Sequence, residues 1–524
     1  MFKPRATTSK DFYKDGHADM YPSGTTLVFS NMTPRSSKWA NMLPSFDDKV
    51  VNYGHQGAVV MEYLVELWNE SFFDLPKEKA VRHYQRRMDN ALGKGKVSAH
   101  RIAALHDLGY LPLAYFSLPE GARVNMRVPV CVWFNTLPDF YWLVNFIETA
   151  VSTQLWKPLT NATIAYEYRK LLDKYAELTG SSKEFVQWQA HGFENRGMSG
   201  IEDGARSGSA HLLSFTGTDT ESAIDYLEDY YFADSDNELV GGSVRASEHA
   251  VSSAQILKFV KEMKKLREDS KEALKNAFPD LTEDEYLYHA EVMSAKRMFS
   301  EVQPDGIISY VADTYDFWAV VTKVCVELKD VIMSREGKVV IRPDSGDPVK
   351  IIVGDPDAPV GSPEYKGAIE CLWEIFGGTT TDKGFKLLDS HIGLIYGDSI
   401  TLQRAAEILE GLYNKGFASG NVVLGVGSFT YQFNSRDSFG NAVKATAIVV
   451  DGELVELFKD PKTDKGGVKK SARGFLKAVN PEIGYELVDR LPNLDDLGEY
   501  VLRFRDGKVF NTVTLAGMRK TLLG

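Results

Sequence analysis

Short apolar runs, each followed by a polar or glycine-rich corner, recur along the second half of the chain. Such corners occur at 191–197, 215–219, 243–249, 307–316, 341–348, 394–398 and 422–428, and a helical period fills several of the gaps, as at 401–415. Alternation of short strands with helices predicts a β/α barrel, whose functional residues gather at the carboxyl ends of the strands.

The N-terminal part of the chain has a different pattern. Extended runs such as 26–29 are mixed with a helical period over 58–73, and further helices are indicated for 141–147 and 162–178. This change of pattern predicts a first domain or half-domain before the barrel. Within the barrel region, residues 258–298 are dense in Lys and Glu at helical spacing, which is typical of a solvated helical excursion.

Composition narrows the class of protein. The chain has 524 residues, of which 44% are hydrophobic and 25% charged, and a formal net charge of -12. That charge disfavours nucleic-acid and membrane-surface partners, so an anionic substrate needs a local basic cluster. There is no apolar run of membrane-spanning length, and three distant cysteines predict reduced, buried thiols in a cytoplasmic protein.

The corner at 341–348 carries the strongest chemical signal. Arg342 matches a phosphate group bidentately, and Asp344 is placed to hold Mg²⁺ or a sugar hydroxyl. The alternative is an ordinary Pro-Asp-Ser-Gly turn. Asp313 and Asp316 form a similar pair after another strand; helix caps and turns are the commoner fate of such residues, but two pairs at strand ends favour a Mg²⁺ site.

Two further corners offer weaker signals. Gly427 and Ser428 follow a β-branched run and are suited to hold a phosphate on backbone N–H groups. Dinucleotide binding is disfavoured, because Thr430 occupies the position of the third glycine of its fingerprint. His249 follows Glu248 at the end of another strand, which gives it more weight than the other histidines.

Taken together, the corners resemble the nicotinamide phosphoribosyltransferase family of type II phosphoribosyltransferases. The matching motifs occur in the family's order and at similar spacing; they lie at 11–22, 193–196, 217–220, 243–249, 313–316, 341–348, 397–398 and 458–461. The resemblance implies an α/β fold, an irregular β/α barrel with a second, β-rich α+β domain. It also implies a homodimer with active sites at the interface.

The expected domains follow from this resemblance. Residues 1–150 form a β-rich domain with an interface segment, and 151–420 form the barrel with its helical excursion near 258–298. Residues 421–524 supply the remaining barrel corner and a segment that returns to the β-rich domain.

The resemblance further implies that nicotinamide and phosphoribosyl pyrophosphate give nicotinamide mononucleotide and pyrophosphate. Phe193 and Tyr13 of the partner subunit would enclose the pyridine ring, and Asp219 would accept the carboxamide NH₂. Ribose and phosphates are assigned to Arg196, His249, Arg342, Asp344, Gly397 and Asp398, with Gly427 and Ser428 on the 5′-phosphate. Arg436 and Lys444, from the partner, and Lys459 are also expected to reach phosphate, and Asp11 and Ser243 complete the substrate-binding set.

For the chemistry itself, the expected catalytic residues are His249, Asp316 and Asp344. Asp316 and Asp344 are the expected Mg²⁺ ligands, and ATP is the expected phosphoryl donor to His249. While Mg²⁺-pyrophosphate departs, the active site must stabilise an oxocarbenium-like centre and the departing anion. The reaction needs no protein nucleophile.

The chain departs from the family pattern at three positions. Ser428 replaces a glycine, and Ala442 and Ala312 replace serines. Three alternatives also stay open: a nicotinate phosphoribosyltransferase, which would need a cationic or neutral partner in place of Asp219; a phosphosugar aldolase or isomerase, for which no strand-end Lys is seen; and a non-catalytic nucleotide sensor.

Overall fold

A computed structural model describes residues 4–272, 275, 280–459, 472–481 and 484–524. The strands, in chain order, are β1 (Thr25–Thr33), β2 (Lys49–Val51), β3 (Leu113–Ser117), β4 (Arg123–Asn125), β5 (Cys131–Asn135), β6 (Ala190–Gly192), β7 (Arg245–Ala246), β8 (Asp305–Val311), β9 (Glu336–Arg342), β10 (Gly378–Thr380), β11 (Lys386–Leu388), β12 (Ile392–Tyr396), β13 (Val422–Val426), β14 (Ala442–Val450), β15 (Glu453–Glu456), β16 (Phe475–Val479), β17 (Glu486–Leu491), β18 (Val501–Arg505) and β19 (Lys508–Val509).

The helical segments connect these strands. They are Ala6–Thr8, Phe12–Gly16, His17–Met20, His55–Leu67, Asn69–Phe73, Lys77–Leu92, His100–Leu108, Pro138–Phe140, Leu143–Phe146, Glu148–Thr179, Val186–Gln189, Asn195–Gly197, Ile201–His211, Glu221–Tyr231, His249–Glu268, Glu283–Arg297, Met298–Val302, Phe317–Ala319, Val320–Val324, Cys325–Glu327, Lys329–Met333, Pro348–Val353, Pro363–Lys366, Ala368–Phe376, Leu402–Asn414, Ser419–Asn421, Ser428–Tyr431 and Leu515–Leu523. The helices predicted near 58–73, 141–147, 162–178 and 401–415 are confirmed.

A parallel sheet forms the barrel that the sequence predicts. Its order is β6-β13-β12-β9-β8-β7, and every pair in it is parallel. Single parallel bridges from Gly192 to Thr218 and from Gly217 to Gly242 continue the curl beyond β6 toward β7. The barrel is irregular because this last part is held by single bridges rather than by full strands.

Apolar side chains fill the barrel and its helical cover. Ile341, Leu394 and Leu424 are at most 1% exposed, and they share a core with Tyr168 and Leu172 of the Glu148–Thr179 helix. Buried parallel strands of this kind leave polar residues only where the strands end. The strands therefore direct the chemistry to their carboxyl edge.

An antiparallel sheet with the order β15-β14-β1-β5-β3-β18-β19 forms the β-rich part. It combines strands from the first 135 residues with strands after position 442, and Phe29, Tyr115 and Trp133 are buried in its core. The domain limits stay a prediction, although the expected boundary at 150 lies inside the Glu148–Thr179 helix.

The charged excursion near 258–298 consists of the His249–Glu268 and Glu283–Arg297 helices. Ile256, Val260, Tyr286 and Ala290 form a small core of their own between the two helices. Thr282 and Glu285 form a reciprocal capping box that fixes the start of the second helix. Part of the connection between the helices lies outside the described residues.

Two expectations from composition can be checked in this structure. Cys131, Cys325 and Cys371 are buried free thiols, as expected. Within the described part of the chain, no helix has both the length and the apolar character needed to cross a bilayer.

Candidate functional site

The residues predicted from the barrel strands lie at one edge of the barrel. Because β6, β7, β8, β9, β12 and β13 run parallel, the corners that follow them meet at the same end of the sheet. They form two groups, which we call the His249 corner (His249, Asp313, Thr314, Asp344 and Ser345) and the Asp219 corner (His191, Phe193, Asp219 and Ser243).

In the His249 corner, the imidazole is surrounded by acceptors that it does not fully engage. Its Nδ1 shares a hydrogen bond of 3.2 Å with Thr314 Oγ1. Its Nε2 lies 3.8 Å from Asp313 Oδ1 and 3.9 Å from Asp344 Oδ2, which is beyond hydrogen-bond distance. The side chain of His249 is 48% exposed, so Nε2 is accessible to a ligand.

Asp313 organises this corner, and sequence reasoning passed over it in favour of Asp316. Its Oδ2 accepts from the Asp344 N–H at 2.9 Å and from Ser345 Oγ at 2.6 Å, whereas its buried Oδ1 has no hydrogen-bond partner among the described residues. Asp316 instead caps the Phe317–Ala319 helix by accepting from the Ala319 N–H at 2.9 Å. Proximity to the end of β8 was the available signal, since Asp313 follows that strand by two positions.

The same corner borders a pocket of about 440 Å³, which is lined by His249, Ser253, Asp313, Thr314, Tyr315, Asp344 and Ser345. Gly397 lies directly against it, because a Cβ there would approach Asp344 Oδ1 to 2.5 Å. Arg342 donates from Nη2 to the Ser247 carbonyl oxygen at 2.6 Å, and its buried Nε has no partner among the described residues.

This pocket has a concentrated negative charge. Burial, and then the charges of the surrounding carboxylates, raise the pKa of Tyr396; those carboxylates are Asp398, Asp313, Asp344 and Asp347. The donor set suits a hard cation shared with a phosphorylated ligand, because Mg²⁺ is usually held by one or two carboxylates together with phosphate oxygens. Within the described ranges, no group of three or more acidic, His or Cys side chains forms a complete cage by itself.

The Asp219 corner is tightly hydrogen-bonded. His191 Nε2 lies 2.9 Å from Asp219 Oδ1, and Ser243 Oγ donates to the same oxygen. Burial raises the pKa of Asp219, but the hydrogen bonds from His191 and Ser243 and the charges of His191 and Arg342 outweigh it and hold that pKa below its ordinary value. Asp219 is therefore an ionised acceptor, and its two hydrogen bonds from described side chains both go to Oδ1.

Phe193 completes this corner with a flat apolar surface. Its ring centroid lies 4.8 Å from that of His191. Gly425 of β13 makes room for the ring, because a Cβ there would lie 2.6 Å from Phe193 Cδ2. The next loop residues, including the exposed Arg196, lead to Gly197, where a Cβ would approach Ser428 Oγ to 2.5 Å. The Arg196 loop and the Gly427–Ser428 corner are thus adjacent.

The predicted basic residues Arg436, Lys444 and Lys459 lie close to Arg35, and we call these four residues the cationic face. Burial, and then the charges of Lys459, Arg35 and Arg436, lower the pKa of Lys444 on β14, against the opposing effect of Glu148. Glu148 also pairs with Lys14, whose Nζ lies 5.1 Å from the ring centroid of Tyr13.

Tyr13 is 61% exposed, so its ring is available to a partner. Asp11 nearby accepts from Thr149 Oγ1 at 2.9 Å. The end of the 458–461 motif, Asp460 and Pro461, lies outside the described residues.

Comparisons with known sequences find relatives that extend over most of this chain. The model of the nicotinate phosphoribosyltransferase (NAPRTase) family matches residues 188–490. A nicotinamide phosphoribosyltransferase of Acinetobacter baylyi is 49% identical over 528 residues, which covers 99% of this chain and 97% of that protein. A nicotinamide phosphoribosyltransferase of Mycoplasma pneumoniae is 29% identical over 471 residues, covering 87% and 92% of the two chains.

Solved structures support the fold. The nicotinate-nucleotide pyrophosphorylase from Pyrococcus furiosus superposes with a TM-score of 0.51 at 14% identity, covering 99% of this chain and 94% of that one. The human nicotinic acid phosphoribosyltransferase gives 0.50 at 13% identity, covering 98% and 93%. The predicted type II phosphoribosyltransferase fold is confirmed.

Proposed function

The chain belongs to the nicotinate phosphoribosyltransferase family, and on this premise we propose that it transfers the phosphoribosyl group of phosphoribosyl pyrophosphate to nicotinamide. The products are nicotinamide mononucleotide and pyrophosphate, so the protein is a pentosyltransferase of NAD salvage.

The observation that carries the choice of nicotinamide is the ionised Asp219. Its Oδ2, which accepts no hydrogen bond from the described residues, is suited to accept an N–H of a carboxamide, whereas the ionised side chain repels the carboxylate of nicotinate. Phe193 beside it offers a face on which a pyridine ring stacks. The two groups together are suited to bind the pyridine ring and its carboxamide at the barrel edge.

In the reaction, pyridine N1 attacks C1 of the ribose while the bond from C1 to pyrophosphate breaks. Arg342 and Arg196 provide positive charge for the departing anion, and Asp344 and Asp398 accept ribose hydroxyls. The backbone N–H groups at Gly427 and Ser428 are suited to the 5′-phosphate. When bound, Mg²⁺ supplies charge neutralisation to the leaving pyrophosphate, with Asp344, Asp316 and the newly recognised Asp313 as its candidate protein ligands.

The active site is completed, we propose, by a second copy of the chain. Tyr13 and the cationic face of one subunit would cover the barrel edge of its partner, which places Arg436, Lys444 and Lys459 against the phosphates. Two observations support this proposal. Tyr13 is exposed. Burial and neighbouring positive charges lower the pKa of Lys444, and an anion that binds beside these charges stabilises them.

The proposal includes ATP coupling at His249. The imidazole nitrogen attacks the γ-phosphorus of ATP, ADP leaves, and the phospho-imidazole then favours substrate binding. The support is the accessible Nε2 in a pocket with carboxylates suited to Mg²⁺. We also propose a cytoplasmic location, since the three free thiols stay reduced there.

The decisive experiment is a product assay. The purified protein is incubated with phosphoribosyl pyrophosphate, Mg²⁺ and either nicotinamide or nicotinate, and the mononucleotide is identified by mass. We expect nicotinamide mononucleotide as the main product. Nicotinate is the second candidate, because the matching family model has that name, and preferential formation of nicotinate mononucleotide would replace the proposal with it.

A further inference from the structure

A buried carboxyl group lies directly behind the Asp219 corner, and none of the steps above uses it. Glu194 follows Phe193 in sequence and is 0% exposed. Its Oε1 accepts from Thr220 Oγ1 at 2.7 Å, and its buried Oε2 has no hydrogen-bond partner among the described residues. An ionised carboxylate in such a place has a high free energy unless it is protonated or paired with a hydrogen-bond donor or a cation.

The surroundings are built to accept this side chain. A Cβ at Gly192 would lie 3.0 Å from Oε2, and a Cβ at Gly208 would lie 2.8 Å from Oε1. The two glycines belong to different elements, β6 and the Ile201–His211 helix. The space for Glu194 is therefore made by the tertiary structure.

Glu194 joins the two segments that form the Asp219 corner. It belongs to the loop that carries Phe193 and Arg196, and Thr220, which donates to it, is the residue after Asp219. The Asp219 N–H in turn donates to the Gly192 carbonyl oxygen at 2.9 Å. One side chain thus connects the stacking ring and the acceptor of the proposed nicotinamide site.

We infer that Glu194 is a positioning residue for the proposed nicotinamide site: through Thr220 it joins the Phe193 loop to the Asp219 segment, and its ionisation, which places a second negative charge beside Asp219, weakens nicotinamide binding. This inference rests on the proposed function.

The electrostatics support the inference. Burial raises the pKa of Glu194 to about 7, the Thr220 hydrogen bond opposes that rise, and the Asp219 charge adds to it. The other titratable groups around it are Tyr431, His211 and His191. Burial raises the pKa of the Tyr431 phenol and lowers the pKa of His211 to about 4. With Tyr431 and His211 neutral at pH 7, Asp219 is the main charge acting on Glu194.

Binding and protonation are linked. Glu194 is already shielded from water, whereas the Asp219 side chain is 45% exposed. A nicotinamide ring over Phe193 and Asp219 excludes water around Asp219, so Asp219 repels an ionised Glu194 more strongly. By reciprocity, loss of the proton weakens binding of the ring. A further pKa rise of about one unit on binding corresponds to about a tenfold change in affinity.

The test compares the pH dependence of KM for nicotinamide in the wild type, in Glu194→Gln and in Glu291→Gln. Glu291 is the matched control: its burial also raises its pKa to about 7, but it bonds Tyr310, away from Asp219. Between pH 6.5 and 8.5 we expect KM to rise about sixfold in the wild type and in Glu291→Gln, with kcat changing less. The Gln side chain of Glu194→Gln is neutral at every pH. Its KM should therefore stay, across the whole pH range, near the value that the wild type has at pH 6.5.

A second readout does not depend on turnover. In difference infrared spectra, the protonated-carboxyl band that disappears near pH 7 should be smaller in Glu194→Gln than in the wild type. The inference is overturned if Glu194→Gln keeps the wild-type KM profile, if its KM is already raised at pH 6.5, or if it keeps the full band. Absence of nicotinamide turnover in the wild type would instead overturn the proposed function, and the infrared titration would still report on Glu194.

Discussion

Two histidines lie beside aspartates at the same barrel edge, and they differ in how firmly they are held. His191 is 10% exposed and bonds Asp219 at 2.9 Å, whereas His249 is 48% exposed and lies 3.8 and 3.9 Å from its two carboxylates. The Asp219 corner is thus arranged before any ligand binds, as a recognition site requires. The His249 corner keeps a nitrogen accessible, as a site of group transfer requires.

The largest effect should come from removing the accessible histidine. His249→Ala should reduce ATP hydrolysis to background and abolish any stimulation of mononucleotide synthesis by ATP, because no other group would accept the phosphoryl group. Steady-state kinetics with and without ATP measure both effects. His289→Ala, which removes an exposed histidine from the nearby helix, serves as the control. A wild-type enzyme that is indifferent to ATP would contradict the coupling.

Variants at Tyr13 and at Arg196 test whether each active site is built from two subunits. If Tyr13 acts on the partner's barrel edge and Arg196 on its own, co-expressed Tyr13→Ala and Arg196→Ala chains form heterodimers with one intact site. Random pairing makes half of the dimers mixed, so activity should recover to about a quarter of the wild-type value. Activity assays on the co-purified mixture measure this recovery. No recovery in a confirmed heterodimer, or a monomeric protein in solution, would refute the shared site.

A smaller effect, on the preference for nicotinamide over nicotinate, is expected from neutralising Asp219. A nicotinate carboxylate about 4 Å from Asp219 would be opposed by roughly 4 kcal/mol at an effective dielectric constant of 20. Asp219 is 45% exposed, so solvent reduces this value, and we expect Asp219→Asn to narrow the preference for nicotinamide by about ten- to a hundredfold. The ratio of kcat/KM for the two substrates measures it, with the exposed Asp225→Asn as control. An unchanged ratio would remove Asp219 from its proposed role.

The last expected effect is on stability rather than on activity, and it concerns the same corner. Because burial raises the pKa of Glu194 from 4.5 to about 7, the folded protein holds a proton that the unfolded chain releases above pH 4.5. That contribution to stability is complete below pH 4.5 and is lost as the pH rises through about 7, by up to about 3 kcal/mol. Thermal unfolding should therefore show Glu194→Gln gaining stability over the wild type between pH 5 and pH 8. A difference that does not vary with pH would contradict the assignment.

Much of the site was predictable from local pattern. Apolar runs ending at Arg342, Asp398 and Gly427 indicate buried parallel strands, and parallel strands bring their ends to one edge whatever lies between them. The same logic placed His249 and Asp219 at that edge. Motif order and spacing then supported the family assignment, which the sequence comparisons confirm.

The sequence predicts less well which of two neighbouring residues belongs to the site. Asp313 and Asp316 follow the same strand and have the same side chain, and the sequence distinguishes them only by the shorter distance of Asp313 from the end of β8. In the folded chain, Asp313 accepts from Asp344 and Ser345 of the next corner, whereas Asp316 caps its own short helix. The difference depends on a contact between segments about 30 residues apart, which local pattern does not encode.

The sequence by itself determined the class of fold, the edge at which the polar corners meet and the family, because strand periodicity and motif spacing are local properties of the chain. Only the tertiary structure decided which groups are ionised, neutral or accessible. Glu194 is buried because Gly192 and Gly208 leave space on two separate elements, and Asp219 is held ionised by His191 of β6 and by Ser243, which lies before β7. Protonation depends on burial and on neighbouring charge, and both arise only when distant segments pack together.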